Sequence, residues 1–418
     1  MFRLTLLRRR ISRLMRHPLM MTLYVPGLLF SISMGMMGPI LPLYAADFEI
    51  SYALVGLVLA AGALGGLIGD LPAGIVLRRM GRKRAMVLGL VISAVATTAL
   101  FWTQSIGVVI ALRLLTGLGH ALYGVARHTY IADSIDITQR GRATAILAGM
   151  GRLGRFIGPA TAGFVAVTFG LRAPFLLYGV AALLAAGFVL VAMPRREATT
   201  EAAQEHAQAA GPTLWTMLQE QYHILLTAGT GQILAQATRS GWITIIPLYG
   251  RDMLGLDVDQ IGLVMSIMAL VDTAMFYPTG IIMDRWGRKF AIVPSFALQG
   301  LGLALVPLAG AFTGLVGAAV VIGFGNGLGA GTMMTLGADL APEDARGEFL
   351  GTWRLIGDTG GTVGPLMIGN VADALALPAA ALVAAGMGLA AATVFALFVP
   401  ETLKKKRRKR KIASKSAA

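Results

Sequence analysis

The stretch "GIVLRRMGRKR" (residues 74–84) returns, little altered, as "GIIMDRWGRKF" (280–290). The two copies lie 206 residues apart, and the same offset joins Gly81 to Gly287 and Asp133 to Asp339. It also joins Arg140-Gly141 to Arg346-Gly347 and Gly158-Pro159 to Gly364-Pro365. "PLY" at 42–44 and 247–249 departs from that offset by one residue. One spacing held across separate regions means that the second half of the chain copies the first. Any fold proposed for one half must then serve twice.

The solvent follows from composition. Of 418 residues, 56% are hydrophobic and 14% charged, with a mean hydropathy of +0.71. Soluble domains carry roughly 25% charged residues, so much of this chain must face lipid. A helix needs about 20 apolar residues to cross a bilayer. Twelve such stretches occur, at 19–45, 52–77, 85–103, 105–131, 143–168, 173–193, 222–249, 259–283, 290–310, 312–337, 348–372 and 377–399. Backbone polar groups go unsatisfied in lipid unless the chain is helical, so these read as helices. The first is too long for a signal peptide and lacks a small-residue cleavage site, so it reads as a retained helix. Cysteine is absent, which excludes disulfides, thiolate metal sites and a cysteine nucleophile.

Charge placement predicts orientation. Of the 36 Lys and Arg, 28 fall in the termini and the loops on the termini's side, whereas the opposite loops hold Arg172 and Arg251. That asymmetry predicts cytoplasmic termini in a cell inner (plasma) membrane. It also accounts for the basic segments 1–18 and 401–418, which suit an anionic inner leaflet and call for no nucleic acid. The predicted organisation is a basic segment 1–18, a six-helix bundle 19–193, a cytoplasmic linker 194–215, a second bundle 216–400 and a basic tail 401–418.

Two parallel six-helix halves, with loops of this kind, resemble the major facilitator superfamily over about residues 19 to 400. Three patterns carry the resemblance. The loop after the second helix has Gly74, Arg79, Gly81 and Arg82 in the first half, and Gly280, Asp284, Arg285, Gly287 and Arg288 in the second. Gly81 suits a tight turn, and Gly74 suits close approach of another helix. By resemblance, the acidic position of this loop latches the halves. The second copy keeps it as Asp284, and the first carries Arg78 instead, which puts the latch on that side in doubt. "RLLTGLGHA" (113–121) is similar to the family's R-x-x-x-G-x-G pattern, which implies a role for Arg113 in proton coupling. "GRFIGPATAG" (154–163), with Gly154, Gly158 and Pro159, resembles the family's antiporter pattern.

Charges inside spans each cost roughly 2.5 kcal/mol or more unless they meet a partner or a cavity, so they are functional candidates. The cations are Arg113, Arg127, Arg152, Arg155, Arg239 and Arg354; the anions are Asp70, Asp272 and Asp358. His120 and His128 lie on the fourth helix. The resemblance implies that helix 2 packs on helix 11 and helix 5 on helix 8, so Asp70 is expected to pair with Arg354, and Asp272 with Arg152 or Arg155. The surplus of arginine suits an anionic or zwitterionic substrate.

The expected function is therefore a monomeric secondary transporter of a small amphipathic or anionic molecule, coupled to protons and working as an exporter. The alternatives are an uptake permease or facilitator for organic anions or lysolipids, and a non-transporting sensor on the same fold. No H-E-x-x-H, G-x-S-x-G or GxxxxGK[ST] pattern occurs, so no enzyme, cofactor or metal is expected.

Overall fold

The computed structural model describes residues 19–194 and 214–403. The basic segment 1–18, most of the expected linker and most of the tail lie outside the described residues. Among the described residues the chain forms twelve helical rods and no strand. They are α1 (Met20–Ala46), α2 and α3 (one run, Tyr52–Ala99, divided at Gly81), α4 (Ile106–Ser134), α5 (Ile137–Phe169) and α6 (Ala173–Ala192). The second set is α7 (Leu214–Asp252), α8 (Val258–Arg285), α9 (Lys289–Leu308), α10 (Phe312–Leu340), α11 (Arg346–Ala374) and α12 (Leu377–Leu397). Eight of them are long and apolar enough to cross a membrane by composition alone. Three of the others, α5, α7 and α11, carry Arg152 and Arg155, Arg239, and Arg354 respectively. The fourth, α3, begins on Arg82, Lys83 and Arg84.

Backbone contacts group the rods into two compact units. One runs up to Phe48 and from Ala61 through α6; the other holds Glu49–Ala60 and α7 to α12. The head of α2 therefore packs within the second unit. There the Asp373 carboxylate, near the end of α11, accepts from the backbone N–H groups of Tyr52 and Ala53 at 2.7 and 2.8 Å. These are orphan donors of a helix start, and a carboxylate is their natural acceptor.

Within each unit, small residues set the packing. Lipid gives helices no hydrophobic reason to associate, so close backbone approach and dispersion must hold them. Gly154 and Gly158 bring α5 onto the backbone of α1 at Ser31 and Gly35. In the second unit Gly360 and Gly364 bring α11 onto α7 at Ile233 and Ala237 in the same way. A Cβ at any of the four would overlap main chain. Gly117 and Gly119 likewise bring α4 against α2 and α3. Large side chains fill what remains. Tyr123, Met86 and Leu23 centre the first core, and Phe296, Phe349, Trp353 and Phe395 centre the second. Apolar side chains such as Phe164, Val191 and Leu308 are left exposed, as a lipid-facing surface requires.

The repeated loop is built alike in both units. Gly81 (φ 77°) and Gly287 (φ 128°) each turn the chain in a conformation that side chains resist. Arg82 then reaches Asp133 at 3.0 Å, and Arg288 reaches Asp339 at 3.0 Å. Lys83 donates to the Met193 carbonyl and Lys289 to the Ala396 carbonyl, both at 2.6 Å. Even the "PLY" echo is structural, because the Tyr44 and Tyr249 hydroxyls donate to the carbonyls of Leu100 and Pro307. One expectation is corrected. Gly74 and Gly280 face open space, where an added Cβ would meet nothing within 4 Å, so in this conformation neither serves a close helix contact.

Candidate functional site

Each unit holds an interior polar cluster. In the first, α4 supplies the core of it. Arg113 presses its guanidinium against Gly62 of α2, where no side chain would fit, and its Nε is buried without a hydrogen-bond partner. Seven residues on, His120 shares a 2.8 Å hydrogen bond between Nε2 and the buried Tyr178 hydroxyl of α6, with the Phe30 ring edge-on at 5.2 Å. Two turns further, Arg127 lies over the Tyr123 ring at 5.3 Å, and its Nε is again buried without a partner. These three residues thus fall on one side of α4, as spacings of seven predict. His128 is exposed. On α5, Arg152 is buried and Arg155 exposed, and Asp70 on α2 is half-buried.

The second cluster is a connected chain of hydrogen bonds. Asp272 on α8 is 4% exposed and accepts at Oδ1 from Asn326 Nδ2 at 3.2 Å. The other end of that amide, Oδ1, accepts from Arg239 Nε at 3.1 Å. Arg239, on α7, also donates to Gln236 Oε1 at 2.9 Å and to the Gly329 carbonyl at 3.3 Å, and lies over the Phe296 ring at 5.3 Å. Burying a carboxylate and a guanidinium is tolerable only when their lone pairs and protons are so occupied. On α11, Arg354 meets Asp358 one turn along at 3.6 Å, with both side chains substantially exposed.

The cluster sits where two helices are interrupted. α8 breaks at Met275, between Val258–Ala274 and Phe276–Arg285. Pro278 has no N–H to offer the Ala274 carbonyl, which accounts for the interruption. α10 breaks after Leu328 and resumes at Thr332, through Gly329, Ala330 and a left-handed Gly331 (φ 71°). The two breaks are stapled together. Thr279 donates to the Gly327 carbonyl at 2.9 Å, and a Cβ at Gly327 would lie 2.6 Å from the Met275 Cβ.

Asn326, Gln236 and Gly329 had no part in the reading of the sequence. Asn326 did leave a signal, as the lone polar side chain in the glycine-rich run "GFGNGLGAG" (323–331). Glu401 was also passed over. Its carboxylate accepts from the backbone of Arg288 and Lys289 at 3.0 Å and of Leu403 at 2.9 Å, and so finishes the second loop. Among the described residues no group of three or more His, Asp or Glu is arranged to hold a metal.

A helical membrane protein made of two copied six-helix sets, with charged clusters inside them, has the architecture of a secondary transporter. The pattern of the Major Facilitator Superfamily matches residues 23–257 and again 228–417, and the chain belongs to that family. Family membership makes it an integral membrane transporter of small molecules rather than an enzyme. It is 21% identical over 350 residues to an uncharacterized MFS-type transporter of Methanocaldococcus jannaschii, covering 83% of this chain and 89% of that one. It is 30% identical over 155 residues to multidrug resistance protein 2 of Bacillus subtilis, covering 37% and 38%. It is also 26% identical over 289 residues to the chromaffin granule amine transporter of Rattus norvegicus, covering 68% and 53%. Among solved structures, a POT family transporter in complex with a thioalcohol-conjugated peptide superposes with a TM-score of 0.74 at 14% identity, covering 91% of this chain and 95% of that one. A D-xylose–proton symporter superposes at 0.69 and 20% identity, covering 92% and 98%. These two likenesses concern the fold.

Proposed function

We propose that the chain is a proton-coupled exporter of a small amphipathic or anionic compound, working by alternating access with both termini in the cytoplasm of a cell inner membrane. The observation that carries this reading is Asp272. It is a carboxylate at membrane depth, nearly inaccessible, linked through an amide to an arginine and set at a helix break. A coupling residue must be able to bind and release a proton and must sit where the two states of the cycle differ; a buried carboxylate at a helix break meets both needs. The likeness to multidrug resistance protein 2 supports export. The surplus of interior arginines supports an anionic or zwitterionic substrate. Asp70 with Arg354, and Asp272 with Arg152 or Arg155, are the ion pairs that this proposal exchanges during the cycle. The protein acts as a monomer, with its basic segments on the anionic inner leaflet.

The amine transporters among its relatives favour a second reading, in which the substrate is a cation and Asp272 or Asp70 meets it directly. One experiment separates the readings. Purified protein in liposomes is given a pH gradient, and uptake of anionic, zwitterionic and cationic probes is compared with counterflow. Asp272→Asn should abolish gradient-driven transport while counterflow persists. Undiminished gradient-driven transport in Asp272→Asn, Asp70→Asn and the double variant would overturn the assignment, leaving Arg113 with His120 or His128 as the candidates. Loss of substrate binding in Asp272→Asn would favour the second reading.

A further inference from the structure

We propose that Asn326 is the positioning residue for Asp272 and that, through Arg239, it ties the state of that carboxylate to the break in α10. The inference rests on the coupling role given to Asp272 above.

The amide can point only one way. Arg239 has donors and no acceptor, so it must face the amide oxygen; an ionised carboxylate has acceptors and no donor, so it must face the amide nitrogen. The observed contacts obey both conditions, at 3.1 and 3.2 Å. Asn326 therefore carries information from one charge to the other. Each depends on the amide remaining where it is.

Arg239 in turn is committed on every side. Its planar fork reaches Asn326, Gln236 and the Gly329 carbonyl, and its face rests on Phe296. A rigid fork cannot follow one partner without straining the others. The Gly329 carbonyl belongs to the break itself, where Thr332 also donates to it at 2.8 Å. Movement of Asn326 is thereby felt at the segment that sets the angle between the two parts of α10.

The other helix is bound to the same point. Asp272 and Thr279 lie on opposite sides of the α8 break and contact adjacent residues, Asn326 and Gly327. With Gly327 pressed against Met275, the two breaks have no room to move separately. Around this network α7 presents the charged Arg239. From α9 and α10 come Ser295, Phe296 and Asn326, none of which titrates. A proton placed on Asp272 weakens its hold on the Asn326 amide, and the effect passes to Arg239 and to Gly329.

A double-mutant cycle tests this, read by amide hydrogen exchange of the peptide covering residues 326–336 in the full-length protein. Asp272→Asn and Asn326→Ser should each speed exchange at the break by at least about twofold, the lower end of coupling between contacting residues. The double variant should add nothing to either. Arg239→Lys, which keeps the charge but loses the fork, should reproduce the effect if the serine variant does not fold. Asn326→Ser should also lose gradient-driven transport while keeping counterflow. Additive effects, or unchanged exchange in a folded Asn326→Ser or Arg239→Lys protein, would overturn the inference. If the cycle is non-additive but Asp272→Asn still transports with the pH gradient, the relay stands and the coupling role of Asp272 fails.

Discussion

α4 and α10 are one segment written twice, 206 residues apart, yet α4 runs unbroken for 29 residues while α10 stops after 17. The offset matches Tyr123 and Val125 in α4 to Gly329 and Gly331 in α10. Side chains that favour right-handed helix hold the first copy straight, and glycines release the second. The polar position survives in both, as His120 in one and Asn326 in the other. Its partners differ. His120 meets a tyrosine, whereas Asn326 stands between a carboxylate and an arginine. At the place matching Asp272 the first half has Gly66, and at the place matching Arg239, in the register of the "PLY" echo, it has Met34. The two copies share a frame, and α10 carries a break, braced by charges, where α4 runs on.

The ends of these two helices offer the strongest way to separate the copies. Asp339 at the end of α10 is 6% exposed and is shared by Arg288 and Thr402, whereas Asp133 at the end of α4 is 41% exposed. Asp339→Ala should cost about 3–5 kcal/mol, the penalty for orphaning a buried charge. Asp133→Ala should cost no more than about 1 kcal/mol. Thermal unfolding in detergent checks both, and equal losses would erase the distinction. Gly331→Val copies the first half into the second and forces a β-branched residue to φ near 71°. It should cost about 1–3 kcal/mol, read in the same assay. His120→Asn copies the second half into the first. It removes one of the partners of the buried Tyr178 hydroxyl and should cost about 1 kcal/mol. Arg78→Asp should leave stability nearly unchanged, because Arg78 is exposed. Its effect should appear instead in cross-linking of cysteines placed at the helix ends on either side of the membrane, as a changed balance of inward-facing and outward-facing states. No change there would make Arg78 one more cytoplasmic charge.

The fold was legible because lipid leaves the chain few choices and because a repeat states each choice twice. Gly81 announced its turn, since side chains resist that backbone conformation. The charges announced themselves too, by their cost in a span. The amide that links Asp272 to Arg239 did not. Asn326 is cheap enough in a helix to pass as ordinary. The broken helices were hidden for a similar reason. Pro278 and the glycines of 323–331 are common in membrane helices, and only their shared height in one unit turns two weak points into a joint.

The charges on α5, α7 and α11 also bear on how the chain reaches its membrane. A segment leaving the ribosome is tested by the translocon largely on its own composition, and each central arginine weighs about +2.5 to +3.5 kcal/mol against release into lipid. α5 emerges after α1, the helix whose backbone it will grip through Gly154 and Gly158. Its host is already waiting. α7 has no such host, because Asn326 and Gly329, which accept from Arg239, are synthesised later. Chains stalled after α7 should therefore fail to integrate it, and chains stalled after α10 should succeed. The biogenesis of the first half then proceeds one helix at a time, and that of the second waits for a quorum.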